Sequence, residues 1–183
     1  MNITAYTSKI YKPNHLTWEQ YKLEDLGNVV TGNTPPTAIQ EYYSTDGMLW
    51  VTPTDISQNI TTHTERMLSE KGQLVARVVP INSILVTCIA SIGKNTLLGS
   101  TGSFNQQINA LIPNPNHDSY FLFSQSYHWS KYMKKMGGGL TFQIVNKKEF
   151  SKLETSVPEL NEQVKIGSLF KSIDHLITLH QRK

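Results

Sequence analysis

Gly93-Lys94-Asn95-Thr96 is a stretch whose residue types could do chemistry, because a glycine followed by a lysine and a small polar residue can cradle a phosphate. That loop also needs a glycine five positions before the Gly-Lys pair, where Cys88 stands, and a Ser or Thr where Asn95 stands. Phosphate-loop chemistry is therefore excluded. A nuclease of the Asp…Glu-x-Lys type needs two carboxylates and a lysine around a divalent cation. No Glu-x-Lys occurs, and the lysines near Glu149, Glu159 and Glu162 have other spacings. An adenine-N6 methyltransferase would carry an Asn/Asp-Pro-Pro-aromatic pocket and a glycine-rich cofactor loop. Asn114-Pro115-Asn116 is not that pocket, and no strand runs into such a loop. The histidines are scattered without ligand spacing, and His63, His117 and His128 are expected to be solvated. Cys88 has no adjacent histidine to activate it, and its apolar surroundings make it a small buried hydrophobe. No catalytic residue, metal site or cofactor is expected.

Composition is consistent with that absence. The 183 residues make one domain, or one domain with an appendage, large enough to bury about 70% of the unfolded surface. Apolar residues are 38% and charged residues 17%, both low, with Thr, Ser, Asn and Gln making up the balance. Uncharged hydrogen-bonding side chains suit a protein that reads polar edges, and they suit a loop-rich β protein equally. A net charge of +3 and a pI near 8.9 permit nucleic acid as a partner but fall short of a sequence-independent basic binder. The single cysteine excludes an internal disulfide. With no signal peptide and no long apolar span, a soluble, cytoplasmic protein with no membrane partner is expected.

The elements that must position any site can be read in order. Met1 to Leu16 has no periodicity and reads as a tail. Trp18, Tyr21, Leu23 and Leu26 form a first core-anchoring cluster, and Gly32, Asn33, Pro35 and Pro36 then force a turn. Leu49 to Ile56 reads as a strand entering a Pro-Thr-Asp turn, Ser69 to Arg77 as a short helix, and the β-branched run Ile84 to Ala90 as a buried strand. Ser103 to Pro113 enters a further strand. Asp118 or Ser119 caps a helix from Tyr120 to about Met136, with Leu122, Trp129, Met133 and Met136 buried and His128, Lys131 and Lys135 outside. Gly137-Gly138-Gly139 stops it, and an extended course resumes toward Lys147, Lys148 and Lys152. Irregular mixing of strands and helices predicts a mixed α/β (α+β) domain with a twisted, mostly antiparallel sheet.

The chain closes on a helix. Pro158 fits its start, and Glu159 and Glu162 favour the positive end of its dipole. Ile166, Leu169, Phe170, Ile173, Leu176 and Ile177 are its apolar positions. Their spacing makes a seam of about two heptads, short of the three or four that specify a coiled coil by pattern alone. Pattern alone favours a terminal helix packed on its own domain.

Several blocks, taken in order, are similar to one family. Thr31-Gly32-Asn33-Thr34-Pro35 and Leu49-Trp50-Val51-Thr52-Pro53-Thr54-Asp55-Ile56 resemble the opening of a target recognition domain. Ser91-Ile92-Gly93-Lys94 with Phe104-Asn105-Gln106 resembles its middle. Gly139-x-Thr141, Phe150, Val157-Pro158, Glu162-Gln163-x-x-Ile166 and Ile173-Asp174 resemble its close. The family is the specificity subunit of type I restriction-modification enzymes, and the resemblance runs from about Thr17 to Lys183.

That resemblance implies a non-catalytic subunit that reads double-stranded DNA and directs methyltransferase (modification) subunits, and restriction subunits through the complex. Residues 17–157 would be the target recognition domain, and 158–183 a spacer and docking helix that permits a homodimer. The family carries two recognition domains and two helices, and this chain has one of each. A half-subunit that dimerises or a fragment is expected, with a fragment or truncated half favoured. Removing 158–183 is expected to leave a folded domain.

Base edges in the major groove are distinguished by paired donors and acceptors, which Asn, Gln, Arg and Lys supply. The expected readers, on loops at one edge of the sheet, are Thr31, Asn33, Thr34, Lys94, Asn95, Asn105, Gln106, Gln107, Lys134, Lys135, Thr141 and Gln143. Asn105 and Gln106 match family positions shared among subunits that read different sequences, so a bracing role is the competing expectation. The six apolar residues of the terminal helix are the expected dimer or partner interface. The alternative function is an assembly module with little DNA affinity of its own.

Overall fold

Residues 17–136 and 144–181 are described by the computed structural model. In chain order the strands are β1 (Glu19–Lys22), β2 (Gly27–Thr31), β3 (Tyr43–Ser44), β4 (Met48–Val51), β5 (Ile60–Thr61), β6 (Met67–Leu68), β7 (Val78–Val79), β8 (Ile84–Thr87), β9 (Asn95–Leu98), β10 (Gly102–Phe104), β11 (Ile108–Pro113) and β12 (Glu154–Val157). The helices are α1 (Leu23–Leu26), α2 (Glu70–Val75), α3 (Ser119–Met136), α4 (Lys147–Ser151) and α5 (Leu160–Gln181).

The strands make two five-stranded sheets, ordered β2-β11-β8-β9-β5 and β3-β6-β4-β10-β7, with β1 and β12 forming a separate ribbon. The sheets are mostly antiparallel, as expected; β4 with β10 and β5 with β9 pair in parallel. That there are two sheets follows from which side chains each strand buries. In β8, Ile84 and Val86 face the core under the helices, while Leu85 joins the core shared with the second sheet. Val29 and Val30, Leu97 and Leu98, and Leu111 and Ala110 divide the same way. With both faces apolar, the first sheet needs a cover on each side: α3 on one, the second sheet on the other.

The helix α3 starts where its cap was expected. The Asp118 carboxylate accepts a hydrogen bond from the Phe121 N–H at 2.7 Å, and Leu122, Trp129 and Met133 are buried with Phe121. His128, Lys131 and Lys135 are exposed. The extended course expected before Lys147 lies mostly outside the described residues, with Ile144 bridged to Ile89; α4 follows it, a short helix not expected from the sequence and closed by a capping box. Glu149 N–H donates to Asn146 Oδ1 and Asn146 N–H to Glu149 Oε2, both at 3.0 Å. The solvated placement expected for His117 is also corrected. It is half-buried, and its Nδ1 lies 3.3 Å from the Gln163 amide nitrogen.

The helix α5 packs on α3 through its first half and reaches it again at Asp174, which accepts from the Tyr120 hydroxyl; residues 175–180 are exposed. Gln163 is 1% exposed, donates to the Pro158 carbonyl at 2.8 Å and accepts from the Asp118 N–H at 3.1 Å. Ile166 packs against the core, and Gly167 lies so close to Asp118 that a Cβ there would overlap the capping carboxylate.

Candidate nucleic-acid interface

Strand register places the expected reading loops at one end of the two sheets. Thr31 closes β2 opposite Asn109, near the start of β11. Thr87 closes β8 opposite Ile108, and Asn95 opens β9 opposite Val86. Val51 and Phe104 end the parallel pair β4 and β10 side by side. The turns after β2, β4, β8 and β10 therefore all emerge at this end.

Backbone hydrogen bonds tie these turns together. Gly32 N–H donates to Ile108 O, Asn33 N–H to Phe104 O, Asn105 N–H to Val51 O, and Cys88 N–H to Gln107 O. Gly32 is required by close approach: a Cβ there would overlap the Phe104 carbonyl. Trp50 Nε1 donates to the Asn33 carbonyl at 3.3 Å, and the Tyr43 hydroxyl to the Pro35 carbonyl at 2.6 Å. The turn that reads in sequence as loose Thr, Asn and Pro is a fastened one.

Fastening sorts the expected readers. Thr31 turns inward and donates from Oγ1 to Asn109 Oδ1 at 2.6 Å. The Asn33 amide holds the segment after α2, donating to the Val75 carbonyl at 2.8 Å and accepting from the Arg77 N–H at 2.6 Å. Asn105 is buried, and its amide bonds only within its own turn, to Gln107 Oε1 and the Gln107 N–H. Gln106 is the exposed tip of that turn, and Thr34 donates to its Oε1. With the oxygen held, the amide nitrogen of this exposed side chain keeps two donors with no hydrogen bond among the described residues. Asn105, Gln107, Thr31 and Asn33 thus position the turn that Gln106 presents.

The cations lie beside them. Lys94 is exposed and its Nζ donates to the Pro53 carbonyl at 2.8 Å. Its loop is shaped by Thr87, whose Oγ1 accepts from the Lys94 N–H at 2.9 Å, and by Gly93 at φ +86°. A Cβ on Gly93 would meet Ser130 at 2.7 Å, and the Lys134 side chain lies against the same glycine. The last turn of α3, with Lys134 and Lys135 exposed, therefore abuts the Lys94 loop. Asn95 is half-buried and accepts from Ser130 Oγ at 2.8 Å. Thr141 and Gln143 lie outside the described residues. Asp55 follows β4 at this end, where its carboxylate accepts from Thr52 N–H and Oγ1 and from the N–H of exposed Glu65. Glu24, Asp25 and Asp118 sit at the opposite end, next to Gly27 and Pro113.

Arg77 is a residue that sequence reasoning missed. Ser103 of β10 pairs with Val78, so Arg77 enters β7 at the same end of the sheets; it is exposed and makes no ion pair among the described residues. Only Arg66, Arg77 and Arg182 are arginines, and that scarcity is the signal that could have found it.

The expected partner surface divides. Ile166 faces the domain, while Leu169, Phe170, Ile173, Leu176 and Ile177 are between 41% and 65% exposed. A cavity of about 490 Å³ opens where α5 crosses α3, lined by Asn95, Tyr120, Phe123, Tyr127, Phe170 and others. The Tyr120 hydroxyl donates to Asp174 at 2.7 Å, and burial, with that carboxylate, raises its pKa. Burial also pushes the Cys88 thiol up to about 11, so it is un-ionised at neutral pH. Among the described residues no cluster of His, Cys, Asp or Glu has the makings of a metal site, and no helix is long and apolar enough to cross a membrane.

Comparison with known proteins follows the same lines. The model of the type I restriction modification DNA specificity domain matches residues 15–183. The chain is 32% identical over 168 residues to the type I restriction enzyme MjaIX specificity subunit of Methanocaldococcus jannaschii, covering 87% of this chain and 38% of that protein. It is 31% identical over 163 residues to the HindI specificity subunit of Haemophilus influenzae, covering 84% and 36%. A chain solved in work on complex assembly and conformational transition of the type I R-M system shares its fold, with a TM-score of 0.72 at 18% identity over 90% of this chain and 40% of that one. The chain thus spans about two fifths of the length of the relatives it matches.

Proposed function

Because this chain belongs to the type I restriction-modification DNA specificity family, we propose that its loop end reads one part of a double-stranded DNA target. In this reading α5 joins it to partner chains. The observation that carries the proposal is the gathering of Gln106, Lys94, Arg77 and Lys134 at the end where the sheet turns emerge. Gln106 offers a pair of donors to a base edge, while the lysines and Arg77 meet phosphates or guanine. The chain contributes no catalysis; methyl transfer and cleavage belong to methyltransferase and restriction subunits that it directs to the site. Exposed Leu169, Phe170, Ile173, Leu176 and Ile177 would meet a second copy or a partner helix.

The test is duplex binding by the chain assembled with its methyltransferase subunits, across a salt series. Phosphate contacts give a steep negative slope of log affinity against log salt, and a flat response sinks the proposal. The methylated sequence in cells carrying the complete system then identifies the target. The exposed half of α5 favours a second reading, an assembly module with little DNA affinity of its own. Under that reading, substitutions at the loop end leave the methylated sequence unchanged and only those on α5 abolish methylation.

A further inference from the structure

Leu74 is 88% exposed, and the chain on both sides of it is fixed. It lies in the last turn of α2, whose N-terminus is capped by Ser69 Oγ accepting from the Gly72 N–H at 3.2 Å. Gly72 is pressed onto the Tyr42 carbonyl, where a Cβ would overlap it. Just beyond Leu74, the Asn33 amide clasps the Val75 carbonyl and the Arg77 N–H. A lone exposed leucine needs no explanation. This one is followed by half-exposed Val75, whose carbonyl accepts from the Asn33 amide, and by Arg77, whose N–H donates to it, so the segment just beyond Leu74 is tied to the turn after β2.

Resting on the proposal that the loop end reads DNA, we propose that Leu74 contacts the C5-methyl group of a thymine in the major groove, next to the base or phosphate that Arg77 meets. Thymine is the base that presents an apolar group there, and amides and cations are blind to it. An apolar side chain held at the rim of a hydrogen-bonding surface detects it. Leu74 is then a specificity residue whose truncation has little effect on the fold.

The experiment uses the chain assembled with its methyltransferase subunits. The probes are duplexes carrying the sequence methylated in cells, with each thymine replaced in turn by uracil. At one thymine, uracil should slow methylation by the wild-type chain about fourfold, the worth of one buried methyl group. Leu74→Ala should be slower on the thymine duplex and indifferent to uracil at that position. Leu74→Met should retain the discrimination, and the melting temperature should match wild type in both variants. Equal rates with uracil at every position, a recognised sequence without an A·T pair, or a Leu74→Ala chain that still loses about fourfold would each overturn the proposal. Gln106→Ala and Lys94→Ala separate this failure from that of the underlying reading. If they impair methylation while uracil is silent, only the role of Leu74 falls; if they too are without effect, the loop end is not the DNA-reading surface.

Discussion

Asn105 and Gln106 are neighbours with the same amide chemistry, yet one is buried and the other is the tip of a turn. Truncating Asn105 leaves the Gln107 N–H and side chain without their partner. Asn105→Ala should therefore lower stability by about 1–3 kcal/mol, read as a drop in melting temperature. Gln106→Ala should melt with wild type and instead change which bases are accepted at one position of the methylated sequence. Arg77→Ala or Lys94→Ala should each weaken duplex binding by the assembled complex and reduce the salt slope by roughly one. The amides and lysines could be singled out in the sequence because their chemistry travels with residue type. Their directions were not, since the partners that set them, Val51, Thr34 and Ser130, lie tens of residues away. Leu74 and Arg77, to which the proposals give roles, could not be singled out for the same reason, since it is β7 pairing with β10 that brings their segment to this end.

Elements with strong local signals were the readable ones. The β-branched run that became β8 and the capped amphipathic α3 each carry their signal within one segment. The helix α4 also had one, the Asn146-x-x-Glu149 capping box, hidden by the β-branched residues before it. How elements join was not legible, and the junction of α5 with α3 shows why. A glycine within a helix ordinarily costs about 1 kcal/mol relative to alanine, so Gly167→Ala should stabilise on propensity alone. Here the added methyl meets the Asp118 carboxylate that caps α3, so Gly167→Ala should instead lower the melting temperature. His117 belongs to the same junction. Burial lowers its pKa from 6.5, against the weaker opposing effect of Gln163, so below about pH 6.5 the unfolded chain binds more protons than the folded one. The stability that neutral His117 retains above that pH is lost as pH falls through the folded pKa. His117→Asn should flatten the part of the melting-temperature decline that accompanies acidification from about pH 7 to pH 5.

At the scale of the molecule two features stand out. Lys94, Lys134, Lys135, Arg77 and Gln106 gather at one end of the sheets, where Asp55 and Glu65 also lie; α5, 22 residues and about 33 Å long, carries exposed apolar side chains along its outer half. Composition shows neither, because a net charge of +3 sums over the whole chain. The division of α5 changes where the molecule can be cut. Removing 158–183 takes away Gln163, Ile166 and Gly167 and opens the face of α3 that they cover, so that truncation should unfold or strongly destabilise the domain. Removing 176–183 leaves those contacts and the Tyr120–Asp174 hydrogen bond in place while deleting exposed Leu176, Ile177 and Leu179. This shorter truncation should melt near wild type, and sedimentation should show it failing to self-associate or to retain methyltransferase subunits. Should it unfold as readily as the longer one, the outer half of α5 belongs to the domain; should it still assemble fully, the exposed residues are not the joint. The proposal that one helix both closes the domain and extends toward a partner requires the two truncations to differ.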